Sequence, residues 1–419
     1  MNAIDRLKNR ILVDGYHHIF DFDKSHDSWL YDSGEKKEYL DCFGQFGSMA
    51  LGYNHPSLVK VQAEISKVSL SKIVNSDIYS EQYADFAEAL FSTVGADFKY
   101  LFVIEGGSAA IENALKVAFD YKAKKIGLTD KEAQNLDIIH LKQAFHGRGG
   151  YTLSLTNTGN NKTDFFPRWP WTRILNPKVL DSIPPDEIKE NERFSLDHAE
   201  IALRKGNVAA IILEILQSEG GNNIFSKEYI SGLKDLSDKY DCLLIFDEVQ
   251  TGLGASGHWW LYQHYNIIPD ILVFGKKVQV CGMLASGTKL DTISNHCFKE
   301  SGRINSTFGG SIIDMVRATN IINIIEEEHL LDNVRDVGDY LLNNIKELEK
   351  SLPIINTRGI GSLIAFDLET TDKRSEALAK LKNNMIILPC GEKSIRFRPA
   401  LTFSKPDADA AMNILKTSL

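Results

Sequence analysis

Residues 242–254 read CLLIFDEVQTGLG, a short apolar run that ends on two carboxylates, Asp247 and Glu248. Similar apolar runs occur elsewhere: YLFVI at 100–104, DIIHL at 137–141, AAIILEIL at 209–216 and ILVFG at 271–275. Unbroken runs of this length are typical of strands buried on both faces, and helical stretches such as KEYISGLKDLSDKY at 227–240 separate them. The alternation predicts an α/β fold, with a mainly parallel sheet covered by helices on both faces.

The pattern of apolar residues changes beyond about residue 310. There a long amphipathic helix leads into two strand-like pieces, SLIAFDL and SIRFRP, and a final helix follows Pro406. We therefore predict a large α/β domain over residues 61–310 and a smaller α+β domain over 311–419. The aromatic, turn-rich segment 1–60 is predicted to pack on the smaller domain.

Composition narrows the possible functions. The chain has 419 residues, with 47 Lys and Arg against 56 Asp and Glu, giving a formal charge of −9. A net negative charge disfavours bulk attraction to nucleic acid or anionic lipid, and no apolar run is long enough to span a bilayer. The five cysteines are widely separated, and the histidines have no partners at ligand spacing, so we expect a cytoplasmic protein with reduced thiols and no metal site.

Three strand ends carry residues that could bind a ligand or take part in catalysis. The first is the turn Gly106-Gly107-Ser108 between YLFVI and a helical stretch, where free backbone N–H groups and a hydroxyl could hold a phosphate. Glycines in such a turn are about as often required by backbone geometry alone. The motif by itself therefore leaves both interpretations open.

The other two strand ends carry an acid and an amine. Asp247 ends an apolar strand, where a carboxylate needs a cation, a metal or a protonated ring nitrogen as its partner. Lys276 and Lys277 follow another apolar strand, and adjacent residues of an extended chain point to opposite sides, so one amine could enter a cleft and form a Schiff base. Phosphate cradle, acid and amine together match the three groups by which proteins hold pyridoxal phosphate.

With these motifs the sequence resembles the class III, fold type I pyridoxal phosphate aminotransferases, and within them the lysine 6-aminotransferase group. The resemblance covers nearly the whole chain, and its most specific stretches are FGQFGSMALGYNHP, EGGSAAIENALK, AFHGRGGYTLSLTNT, LIFDEVQTG, FGKKVQVCG, RINSTFGG and IRFRPALT. It implies a seven-stranded central sheet, pyridoxal 5'-phosphate as cofactor, and a homodimer with shared active sites. The implied reaction moves the ε-amino group of L-lysine to 2-oxoglutarate.

The resemblance also implies a role for individual residues. Lys276 is expected to form the Schiff base and move the proton, and Asp247 to hold the pyridine nitrogen. The remaining expected cofactor contacts are Gly107, Ser108, Phe145, His146, Gln250 and, toward the partner subunit's phosphate site, Thr307.

Two arginines are implied as carboxylate readers, because lysine and 2-oxoglutarate place their carboxylates at different distances from the reacting atom. Arg148 is expected to bind the distal carboxylate and Arg398 the α-carboxylate of the keto acid. Glu219 is expected to neutralise Arg398 while lysine is bound. Around this acid the chain departs from the usual family motif at Ile215 and Ser218, which leaves the preferred amino donor open.

Other functions remain open at this level. An aminotransferase acting on ornithine or 4-aminobutyrate would use the same cofactor contacts. A racemase or mutase on the same scaffold would need no keto acid, and a binding protein that keeps the fold would need neither Lys276 nor Asp247.

Overall fold

A computed structural model describes residues 2–419 of the chain. The N-terminal part contains two strands and four helices. They are α1 Ala3–Leu7, β1 Trp29–Asp32, β2 Lys37–Asp41, α2 Gly44–Gly47, α3 Pro56–Lys60 and α4 Gln62–Ser69. Strand β2 pairs with β1, and it also pairs in parallel with a short C-terminal strand, Met385–Ile386.

The middle of the chain alternates strands with helices, as the apolar runs predict. The strands are β3 Tyr100–Ile104, β4 Asp137–Leu141, β5 Arg173–Ile174, β6 Val208–Leu213, β7 Leu216–Gln217, β8 Asn223–Ile224, β9 Leu243–Asp247, β10 Ile271–Phe274 and β11 Cys281–Ala285. The helices are α5 Glu81–Ser92, α6 Gly107–Ile126, α7 Asp130–Ala133, α8 Gly150–Leu155, α9 Pro185–Leu203, α10 Lys227–Lys239, α11 Tyr262–Tyr265, α12 Gly287–Leu290 and α13 Ile312–Glu327.

Seven of these strands form the central sheet, in the order β3-β11-β10-β9-β6-β4-β5. Strand β11 runs antiparallel to both of its neighbours, and the other six strands run in one direction. The predicted mainly parallel, seven-stranded sheet is confirmed.

Successive side chains of the sheet fill two cores, one on each face. In β9, Leu244 and Phe246 pack with helices α5, α9, α10 and α13, whereas Leu243 and Ile245 pack with helix α6. Burial on both faces explains why these strands read as continuous apolar runs rather than as alternating ones.

The C-terminal part has its own core and sheet. Its elements are α14 Leu330–Leu348, β12 Ile355–Ile360, β13 Leu363–Asp367, α15 Thr371–Leu381, β14 Met385–Ile386, β15 Leu388–Cys390, β16 Ser394–Arg396 and α16 Lys405–Ser418. The core joins α14, α15 and α16 to this sheet and includes Leu40 and Cys42 from the N-terminal segment. Helix α13 packs instead with the core of the large sheet. The domain limits at residues 60 and 310 therefore stay predictions.

Within residues 2–419, no helix is long and apolar enough to cross a membrane. The same residues contain no cluster of three or more His, Cys, Asp or Glu side chains that could hold a metal ion.

Candidate active site

A cavity of about 500 Å³ opens at the carboxyl ends of the parallel strands, the edge where ligands bind in open α/β sheets. Loops after β3, β4, β6, β9 and β10 line it, together with the C-terminal strand β16. The sequence-predicted residues in its lining are Gly107, Ser108, Phe145, His146, Arg148, Glu219, Asp247, Gln250 and Lys276. The fold thus brings these predicted residues together from five separate parts of the chain.

The start of helix α6 forms an open anion cradle. Gly106 precedes the helix with φ 103°, a conformation that favours glycine, and no side chain caps the helix. The first N–H groups therefore remain available to a ligand. Ser108 Oγ lies 2.8 Å from Thr152 Oγ1 and accepts a hydrogen bond from the Gly149 N–H (3.2 Å), which fixes the hydroxyl at the mouth of the cradle.

Asp247, at the end of strand β9, is a buried acid with a fixed orientation. His146 Nδ1 donates to its Oδ2 at 2.7 Å, and the Val249 N–H donates to its Oδ1 at 3.1 Å. Both side chains are buried. Since each carboxylate oxygen carries two lone pairs, the acid can still accept a hydrogen bond from a ligand in the cavity.

A second buried acid, Glu214, also lines the cavity and is not among the residues predicted from the sequence. It follows strand β6 directly, and it accepts hydrogen bonds from the N–H groups of Phe145 (2.9 Å) and Ser218 (3.2 Å). Burial, with the nearby charge of Asp247, raises the pKa of Glu214 to about 7. The position of a carboxylate at the end of an apolar strand was a signal for this residue, as it was for Asp247.

The two lysines after strand β10 point in different directions. They lie in a short 3₁₀ turn, Lys276–Val278, with Lys276 at φ 49°, and not on the extended chain predicted from the sequence. Lys276 lines the cavity, where burial and the charge of Arg396 lower the pKa of its amine. Lys277 turns away and donates to the Gly47 carbonyl at 2.9 Å. The choice of Lys276 as the cavity amine agrees with this geometry.

The structure corrects the predicted pairing of Glu219. Glu219 Oε2 lies 2.7 Å from Arg396 NH2, so the switch acid is paired with Arg396 and not with Arg398. Arg398 is fully buried, and it donates to the Phe397 carbonyl (2.6 Å) and to Asn222 Oδ1 (2.6 Å). Arg396 lines the cavity and Arg398 does not, because Arg398 lies deeper and its donors are engaged by other groups of the protein.

Gln250 lies beside both arginines. Its Oε1 accepts from Arg396 NH1 (3.2 Å) and from Arg398 Nε (3.0 Å). The carbonyl end of this amide is therefore engaged by the arginines. The amide nitrogen makes no such contact with the arginines and could donate a hydrogen bond to a ligand oxygen.

Glu219 itself is held by two cations and a fixed backbone. Its Oε1 contacts Lys162 Nζ at 2.7 Å, and its carbonyl accepts a hydrogen bond from the Gly391 N–H at 2.8 Å. Burial alone would raise the pKa of Glu219, but the charges of Arg396 and Lys162 outweigh it and lower the pKa below its ordinary value. Ser218, one of the two departures from the usual motif, has no positive φ.

Arg148 lies at the mouth of the cavity and is exposed. Among residues 2–419 it has no hydrogen-bond or ion-pair partner, so its guanidinium is free to bind an anion. It also borders an outer cavity of about 800 Å³ whose lining includes Lys162, Phe166, Arg168 and Trp169. The two cavities thus share Arg148, and the outer one also carries the cations Lys162 and Arg168.

Thr307 is the one predicted cofactor residue outside the inner cavity. It lies on an exposed loop and is absent from the cavity lining within residues 2–419. Its expected contact with the phosphate of a partner subunit stays a prediction.

The inner cavity fits pyridoxal phosphate by the chemistry of its donors and acceptors. An uncapped helix start suits the phosphate, a fixed buried acid suits the ring nitrogen, and a buried amine suits the aldehyde. Its volume lies within the range usual for cofactor sites.

Comparison with known proteins gives the family. Residues 12–419 match the model of the aminotransferase class-III family. The L-lysine-epsilon aminotransferase of Streptomyces clavuligerus is 40% identical over 427 residues, which cover 99% of this chain and 93% of the relative. The 4-aminobutyrate aminotransferase of Kluyveromyces lactis is 32% identical, over 96% of this chain and 90% of the relative.

Solved structures agree with this relationship. The lysine aminotransferase from M. tuberculosis superimposes with a TM-score of 0.96 and 38% identity, covering 100% of this chain and 98% of that chain. The fold, the assembled cavity and the full-length match lead to one conclusion: the chain belongs to the class-III aminotransferases.

Proposed function

We propose that this enzyme transfers the ε-amino group of L-lysine to 2-oxoglutarate. The products are 2-aminoadipate 6-semialdehyde, which cyclises to piperideine-6-carboxylate, and L-glutamate. The relatives named as lysine aminotransferases support the amino donor. The observation that carries the proposal is the Glu219–Arg396 pair at 2.7 Å in the same cavity as the amine of Lys276.

Pyridoxal phosphate would be held by Gly107 and Ser108 at its phosphate, by Asp247 at its ring nitrogen and by Lys276 at its aldehyde. When bound, it supplies the aldehyde that accepts the substrate amine and the electron-withdrawing ring that eases loss of a proton from carbon. Phe145 and Gln250 line the space beside these groups and complete the proposed contacts.

The chain's own residues then account for the proton movement. Burial lowers the pKa of the Lys276 amine and increases the fraction of it that is neutral, so that it can take a proton from the substrate carbon and return it nearby. His146 and the Val249 N–H fix the direction of the Asp247 carboxylate, which keeps its negative charge aimed at one point in the cavity.

The two substrates are distinguished by where their carboxylates fall. With lysine, the unpaired Arg148 at the mouth binds the distal α-carboxylate, and Glu219 neutralises Arg396 beside the uncharged aliphatic chain. With 2-oxoglutarate, Arg148 binds the γ-carboxylate and Arg396 binds the α-carboxylate after Glu219 releases it. Arg396 therefore takes the role that was predicted for Arg398.

We also propose that the enzyme works as a homodimer with shared sites. The exposed Thr307 loop supports this, because it lies outside its own cavity and is available to a neighbouring subunit. The mass of the native protein in solution would test the dimer. Cofactor retention in Thr307→Ala would test whether Thr307 contributes to the neighbouring site. A monomer with full activity would contradict it.

An absorbance titration tests the reaction. Lysine added to the holoenzyme should convert the yellow form to the amine form, and 2-oxoglutarate should reverse the change. Initial rates with lysine, ornithine and 4-aminobutyrate, each with 2-oxoglutarate, would compare the donors. Weak activity with lysine beside strong activity with another donor would remove lysine as the substrate, and turnover without keto acid would favour a racemase or mutase.

A further inference from the structure

Lys162 is a nearly buried cation that the proposed reaction has not used. Its side chain is 14% exposed, and its Nζ lies 2.7 Å from Glu219 Oε1. The same amine donates to Thr158 Oγ1 at 2.9 Å and lies 5.4 Å from the centre of the Phe145 ring. Three contacts hold this amine against the switch acid.

The two oxygens of Glu219 are therefore divided between two cations. Oε2 is bound to Arg396 and Oε1 to Lys162, each at 2.7 Å. The three groups together carry one net positive charge, whereas the pair without Lys162 would be neutral. When a keto-acid carboxylate arrives, the cluster with Lys162 becomes neutral and each charge has a partner.

In this arrangement Glu219 has a second cation to pair with when it leaves Arg396. The backbone of Glu219 is fixed by the Gly391 N–H, so only its side chain can move away from Arg396. A carboxylate that left Arg396 with no second cation would lose its charge partner, and the Glu219 side chain, at 31% exposed, is only partly hydrated. Lys162 already holds one of its oxygens.

We propose that Lys162 is a positioning residue for the keto-acid half of the reaction: it retains Glu219 when Arg396 is taken by the α-carboxylate of the acceptor. The inference rests on the proposed function, since it assumes a substrate carboxylate at Arg396. It adds a specificity element that the sequence-predicted site did not contain.

The test compares the two half-reactions of the holoenzyme in rapid-mixing absorbance measurements. Lys162→Met should weaken the apparent binding of 2-oxoglutarate about tenfold or more, because Glu219 then competes for Arg396 without an alternative partner. The lysine half-reaction should change less than about twofold. Lys162→Arg retains the charge and should stay near the wild type, and Lys162→Gln gives a second neutral variant should the methionine variant fold poorly.

A second readout needs no turnover. Glutarate carries the two carboxylates of the acceptor but no keto group, and its binding can be followed by calorimetry. Its affinity should fall in Lys162→Met by the same factor as that of 2-oxoglutarate, with the melting temperature nearly unchanged.

The outcomes separate the two proposals. Unchanged glutarate binding in the neutral variants, or equal loss in both half-reactions with a lowered melting temperature, would overturn the role of Lys162 and leave it a purely structural residue. A wild type that ignores lysine, together with weaker glutarate binding in Lys162→Met, would overturn the proposed donor while supporting Lys162.

Discussion

Replacing Arg396 with methionine should disable the keto-acid half-reaction selectively. Arg396 is 2% exposed, its NH2 contacts Glu219 at 2.7 Å, and its NH1 contacts Gln250 at 3.2 Å. Methionine fills the space of the alkyl stem without the charge. Glu219 keeps Lys162 as a partner in the variant, so the substitution does not leave a buried carboxylate unpaired.

The size of the effect follows from the bonds that are lost. A guanidinium that binds a carboxylate through two charge-assisted hydrogen bonds contributes about 1.5–3 kcal/mol per bond. Because the bond to Glu219 must first be broken, the net value lies near the lower limit, at about 3 kcal/mol. That corresponds to a loss of about a hundredfold in kcat/KM for 2-oxoglutarate.

The assay is again the pair of half-reactions, with Arg398→Met as the matched control. Arg398 is fully buried and bonded to Phe397 and Asn222, so its loss should lower the melting temperature and impair both half-reactions alike. The lysine half-reaction of Arg396→Met should stay within about tenfold of the wild type. Damage to the keto-acid step alone in Arg398→Met, together with equal damage to both steps in Arg396→Met, would refute the assignment of the α-carboxylate to Arg396.

Three further variants test other parts of the cavity. Lys276→Ala should abolish the yellow absorbance and slow turnover at least about a thousandfold, whereas Lys277→Met should keep the colour; the reverse result would move the attachment to Lys277. Asp247→Asn should retain phosphate binding but lose about a hundredfold in kcat, because a neutral amide stabilises a protonated ring nitrogen less well; an unchanged kcat would contradict that contact. Burial raises the pKa of Glu214 from 4.5 to about 7, so the folded state holds its proton more tightly than the unfolded chain, and stability falls as pH rises between these values. In Glu214→Gln, the loss of unfolding free energy between pH 4.5 and 7.5 should be smaller by about 2–3 kcal/mol, as measured in melts at each pH. Burial also raises the pKa of Glu248 to about 7, so Glu248 accounts for part of the pH dependence of the wild type. An identical pH dependence in the variant would show that Glu214 does not titrate in this range.

The fold could be predicted largely because strands that are buried on both faces of a sheet consist of continuous apolar residues. The runs at 100–104 and 137–141 coincide with strands β3 and β4, and the run at 271–275 ends one residue beyond β10. Strand β5 has only two residues, Arg173–Ile174, which is too short to leave a periodic signal. The direction of β11 was not visible either, since apolar content does not report whether a buried strand is parallel.

The site was predictable where a functional residue ends a strand, and less so elsewhere. Arg396 and Arg398 are two positions apart, and both reach the same Gln250 oxygen, so strand alternation places them on one side and cannot rank their depth. Their difference comes from Asn222, a residue distant in sequence that engages Arg398. Lys162 ends a short 3₁₀ helix, Asn160–Lys162, and its partner Glu219 is 57 residues away, so no local pattern could connect them.

The hydrogen bond between the Gly391 amide and the Glu219 carbonyl has a kinetic consequence. With the main chain tethered there, alternation between donor and acceptor needs torsional rotation about a few side-chain bonds and no loop opening. Rotamer changes of exposed side chains take picoseconds to nanoseconds, and breaking the ion pair with Arg396 slows this rotation, whereas typical turnover takes about a millisecond or longer. Rotation of the Glu219 side chain should therefore not limit the catalytic cycle, and adding viscogen should leave the ratio of the two chemical half-reaction rates unchanged.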